Sequence, residues 1–66
     1  MKITFKSNVD CDYYDHRFDE TYPKYFRRWD ELVAEAVDPD GSTLRISLSN
    51  GDIITNVPSA SIEVKG

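Results

Sequence analysis

The stretch "STLRISLSNGDIITNV", Ser42 to Val57, constrains the fold more than any other in this chain of 66 residues. Leu44, Ile46 and Leu48 alternate with Thr43, Arg45 and Ser47, the period-2 pattern of a strand with one face buried. Asn50 and Gly51 follow, and Asn-Gly between two apolar runs is a strong hairpin signal, with Ile53 to Val57 as the returning strand. Two more segments repeat the alternation. In "MKITFK", Met1, Ile3 and Phe5 share one face. In "SIEVK", Ile62 and Val64 point inward and Ser61, Glu63 and Lys65 outward. A chain with four such strands and no internal repeat reads as one mostly-β domain, residues 1–66.

The middle of the chain supports two readings. "DPDGS", residues 38–42, is a proline-aspartate-glycine turn, which makes Glu31 to Val37 a strand entering it. The same region carries Phe26, Trp29, Val33, Ala36 and Val37 at helical spacing, and Pro23 suits a first helical turn. The first reading gives a small barrel or bent antiparallel sheet with one short helix over about 23–30. The second gives an α+β fold, a four-stranded sheet packed against one helix over 23–37.

On the first reading, residues 30–66 resemble the SH3-like small β-barrels. The resemblance rests on a three-strand meander with turns at Pro39 to Gly41 and Asn50 to Gly51, then "VPSAS" at the place of a 3₁₀ turn and "IEVKG" as closing strand. It implies that "MKITFKSN" is the first strand and that the acidic, aromatic stretch after it is a long loop. In peptide-binding members that loop flanks a groove for proline-rich ligands, and "DYYDHRFDE" has the matching composition. Thr43 and Leu44 stand where the family has a groove tryptophan, and Ser59, Ala60 and Ser61 where it has a tyrosine, so proline-motif binding is not carried over.

Charge and cysteine narrow the function. The net charge of −4 opposes binding to duplex DNA or anionic membranes, both of which require a positive field. The single cysteine, Cys11, excludes an internal disulfide and suits a reducing cytoplasm. No apolar run reaches the length of a membrane span or of a signal-peptide core, so a cytoplasmic protein is expected.

Chemistry-bearing residues concentrate in "DCDYYDHRFDETYPKYFRRWD", residues 10–30. Asp10, Asp12, Asp15, His16 and Asp19 have metal-ligating side chains, but their spacing fails the calcium-loop pattern, and the reading is a solvated acidic loop without metal. Cys11 near His16 suggests a thiolate nucleophile. Asp10 and Asp12 oppose thiolate formation, and no phosphate loop or Ser/His/Asp elbow is present. Neither enzyme activity nor a cofactor is expected. Every aromatic ring except Phe5 lies between Tyr13 and Trp29. Phe26, Trp29 and one of Tyr22 or Tyr25 are assigned to the core, which leaves Tyr13, Tyr14 and Phe18 to be exposed among charges or folded back as a lid. Exposed tyrosine with arginine is the composition of interface hot spots.

The expected function is therefore a non-catalytic protein-interaction module of adaptor or inhibitor kind. Its surface would comprise Tyr13, Tyr14, His16, Arg17 and Phe18, with Arg27 and Arg28 at the edge. The alternative is a small barrel that binds single-stranded nucleic acid through Lys24 to Arg28. A homodimer is a further expectation, since no proline or inward charge protects "SIEVK" from pairing with a second copy.

Overall fold

The computed structural model describes all residues, Met1 to Gly66. Seven antiparallel strands follow one another: β1 (Lys2–Phe5), β2 (Val9–Asp15), β3 (Glu20–Phe26), β4 (Glu31–Asp40), β5 (Thr43–Leu48), β6 (Ile53–Pro58) and β7 (Ile62–Lys65). They form one sheet in the order β3-β2-β6-β5-β4-β1-β7. The only helical residues, Ser59–Ser61, make the 3₁₀ turn expected before the last strand. The four strands read from alternation are present. Of the positions read as inward, Ile3, Phe5, Ile46, Leu48 and Ile62 are buried and Leu44 is half-buried, while Met1 and Val64 are exposed; Ile54 and Val57 of β6 are buried as well.

Three expectations are corrected. No barrel closes, because the two lateral strands, β3 and β7, are not paired with each other. The acidic, aromatic stretch is not a loop but a hairpin, with β2 and β3 in register from Val9↔Phe26 to Asp15↔Glu20. Neither helix exists. Residues 23–30 complete β3 and the turn after it, and Glu31 onward is β4, so both the short helix and the helix over 23–37 are absent. Thr21, Tyr22, Tyr25 and Phe26 are strand formers, and pairing with β2 outweighs the helical spacing. The helical stripe is accidental: Phe26 is buried, but Trp29 and Val33 are exposed.

Bends bring the two ends of the open sheet together. β4 pairs with β1 through Glu31 to Val33 and with β5 from Ala34 onward, and the register slips between Ala34 and Ala36, so Glu35 is the extra residue of a bulge. A second slip between Leu44 and Ile46 is taken up on β6, where Asn56 adopts φ 59. Bulges increase local bend and twist. The result is that Phe5 of β1 stacks on Phe26 of β3, with ring centroids 4.5 Å apart, although four strands separate them along the sheet. Ten residues form the apolar core between the inner faces.

Turn chemistry sets the connections. The β4–β5 turn is shifted from its expected centre. Pro39 and Asp40 belong to β4, and Gly41 and Ser42 are the central pair, with Asp40 facing Thr43. Positive φ falls only on Gly41, as a type II′ turn requires. Beyond Ala34, which exchanges hydrogen bonds with the backbone of Met1, the β1 side of β4 is unpaired, so Pro39 removes no sheet hydrogen bond there.

Candidate functional site

The β2–β3 hairpin carries most of the predicted surface, and alternation splits it. Tyr13 faces inward with its register partner Tyr22, rings 5.5 Å apart, and Lys24 Nζ lies 5.3 Å from the Tyr13 centroid. Tyr14 is on the outer face, where its hydroxyl donates to Asp19 Oδ1 at 2.7 Å. That bond raises the Tyr14 phenol above its ordinary value. Tyr13 and Tyr14 are both half-buried and do not belong to one patch.

Asp52, which follows the Asn50-Gly51 turn, anchors the hairpin. It sits immediately before β6, 4% exposed. Its carboxylate accepts the Tyr13 hydroxyl, the His16 backbone N–H at 3.1 Å, His16 Nδ1 at 2.6 Å and Asn50 Nδ2 at 3.2 Å. The Tyr13 bond above all, then those from His16, hold its carboxyl well below the usual carboxylate range. An ionised carboxylate only accepts, so His16 Nδ1 carries the hydrogen. Burial, then the same bond to Asp52, pushes the Tyr13 phenol up to about 12. Gly51 makes room for this arrangement. A Cβ there would lie 3.2 Å from the His16 ring, and its φ of +97 already favours glycine.

The hairpin tip is what this anchoring presents. Asp15, buried, accepts from the Arg17 backbone N–H at 3.0 Å and its Nε at 3.4 Å. Arg17 in turn lies over the Phe18 ring, 5.5 Å from its centroid. Phe18 is 68% exposed. His16, Arg17 and Phe18 therefore share the tip. Arg27 and Arg28 do not join them. They follow the opposite end of the hairpin, six residue steps or about 20 Å away. There Asp30 accepts the Arg27 N–H, Asn8 accepts the Arg28 N–H, and the Arg28 guanidinium stacks 4.7 Å from the Trp29 centroid. Trp29, assigned from sequence to the core, is 65% exposed and held at φ 77.

Three further features bear on chemistry. Ligand atoms of Asp15, His16 and Asp52 lie within 4.8 Å of one another. Asp15 Oδ1, His16 Nδ1 and Asp52 Oδ1 are already engaged in hydrogen bonds. Of the acids considered as ligands from sequence, Asp10, Asp12 and Asp19 are outside this cluster. Cys11 is buried in the core, and burial, with Asp10 and Asp12 adding to it, pushes its thiol up to about 11. A thiol so shifted is protonated at neutral pH and is a poor nucleophile. On the outer face, Tyr14, Thr21, Asp40, Arg45, Ile53 and Thr55 line a shallow depression of about 420 Å³.

No protein-family model matches the chain, and neither a curated protein nor a solved structure shows significant similarity to it.

Proposed function

We propose that the chain is a non-catalytic protein-interaction module that engages a protein partner through the tip of the β2–β3 hairpin. The observation that carries this reading is Phe18. It is a large apolar side chain exposed at the end of a hairpin whose backbone is fixed by two buried carboxylates, Asp15 and Asp52. A preorganised aromatic beside an arginine loses little conformational entropy on binding, which is how hot-spot residues gain their affinity. His16 and Arg17 flank it, while Tyr13 supports the tip from the inner face and Tyr14 from the outer. The β4-β5-β6 meander, the 3₁₀ turn before β7 and the pairing of β7 with β1 support an SH3-like relationship, with the hairpin in place of the long loop. The lone, protonated Cys11 suits a reducing cytoplasm. No helix of the chain is long and apolar enough to cross a membrane.

A second reading has its own observation. Arg28 stacked on an exposed Trp29 is the pairing of cation and ring on which a single-stranded nucleic acid can stack its bases. The net charge of −4 favours the protein partner. Affinity capture from host lysate separates the two. With Phe18→Ala beside wild type and Arg28→Ala, the expected result is a protein retained by wild type and Arg28→Ala and lost with Phe18→Ala, at unchanged thermal stability. Capture that ignores Phe18→Ala, or of nucleic acid alone released by salt and lost with Arg28→Ala, overturns the hairpin reading.

A further inference from the structure

The two lateral edges of the sheet differ in how they meet water. β3 has Pro23 at its centre, which cannot donate to an added strand and so discourages one. β7 has no proline. Ile62 to Lys65 pair with β1 on one side and with nothing on the other. Its two charged residues, Glu63 and Lys65, have no ionic partner in the chain, whose ion pairs are Lys2–Glu31, His16–Asp52 and Arg17–Asp15. Lys65 instead faces Lys2 across the ladder. Between them, Val64 lies on the inner face opposite Ile3, yet is 46% exposed. Exposed Met1 and half-buried Leu32 extend the apolar strip along the same end of the sheet.

We propose that β7 pairs antiparallel with β7 of a second copy about a two-fold axis through Val64, joining the two sheets. A two-fold interface must be self-complementary, and this edge is so in one register only. Centring on Val64 sets Val64 against its symmetry mate and Glu63 against Lys65 twice, so that every unpaired charge of the edge gains an opposite one. Centring on Glu63 or Lys65 brings like charges together. Centring between residues 63 and 64 places the core face of one sheet beside the solvent face of the other. The pairing leaves the hairpin tip free and does not depend on its function. A four-residue seam is smaller than standard interfaces, so the dimer is weak and concentration-dependent.

Charge reversal tests the register. Sedimentation equilibrium from low micromolar to about 1 mM should show a mass rising from 7.6 kDa toward twice that value. Glu63→Lys and Lys65→Glu, each introducing two like-charge pairs, should each weaken association about tenfold. The double swap should restore it, and an equimolar mixture of the two single variants should form a mixed dimer. Lys65→Glu also removes the like charge facing Lys2, so it tests the interface without threatening the fold. A wild type that stays monomeric throughout, or a dimer indifferent to both reversals and their mixture, overturns the proposal.

Discussion

One carboxylate, that of Asp52, accepts four hydrogen bonds from three residues, and its ionisation is therefore coupled to the hairpin's position. The coupling has a definite sign. Its folded pKa is depressed below the unfolded value, so its contribution to stability is complete above the ordinary carboxylate range and is lost as pH falls through and below it. Asp52→Asn keeps the shape and one acceptor but turns a donor toward the Tyr13 hydroxyl and Asn50. The variant should be less stable than wild type at pH 7, and the two urea-unfolding midpoints should converge between pH 5 and pH 2. Midpoints that stay parallel over that range would mean that Asp52 is not the coupled group. Nothing in the sequence distinguishes Asp52 from any other acid after an Asn-Gly turn. Its role depends on Tyr13 and His16, more than 35 residues earlier, being returned to it by β2 pairing with β6.

At the scale of elements, the β3–β4 turn holds the clearest backbone strain. Trp29 adopts φ 77, a left-handed conformation that costs a bulky L-residue about 1–2 kcal/mol. Its N–H donates to the Phe5 carbonyl at 2.7 Å, and Phe5 N–H donates to Asp30, so the turn is fixed to β1. Trp29→Gly removes the strain and Trp29→Ala retains it. Since the indole is largely exposed, little packing is lost by either change. Thermal or chemical unfolding should therefore rank the glycine variant about 1 kcal/mol above the alanine variant despite its greater unfolded-state entropy. The opposite order would show that the turn relaxes without Trp29. Elements differ in how far alternation revealed them. β1, β5, β6 and β7 were legible because each has at least one buried aliphatic at inward spacing. β2 and β3 were not, since their inner positions include Asp15 and Lys24, and β3 buries only Phe26. An edge strand with both faces largely in water gives periodicity little to report. The candidate site was legible in composition alone. The cluster of rings and charges marked the hairpin, but the placement of Trp29 outside the core and of Arg27 and Arg28 at the far end required the register.

For the molecule as a whole, an open sheet with unpaired lateral strands holds its shape through its core, and Phe5 is the residue that joins its two ends. Its ring is fully buried and nearly parallel to that of Phe26, at 5°. The strand ladders run along the sheet and do not pair β3 with β1; apart from the two hydrogen bonds between Phe5 and the β3–β4 turn, this contact and its aliphatic neighbours carry the curvature. A chain of this length is stabilised by on the order of 3–10 kcal/mol in total. Phe5→Ala removes about 3–5 kcal/mol of packing. It also leaves Phe26 facing a cavity, which should unfold much of the population at 25 °C. Phe5→Leu keeps most of the apolar volume and should fold with a lowered urea midpoint, at a cost of about 1–2 kcal/mol. Far-UV circular dichroism distinguishes this from a sheet held by its hydrogen-bond ladder alone, for which Phe5→Ala would keep a wild-type spectrum. If the spectrum collapses, the curvature that presents the hairpin tip is a property of the core, and a core change will abolish partner binding without touching Phe18.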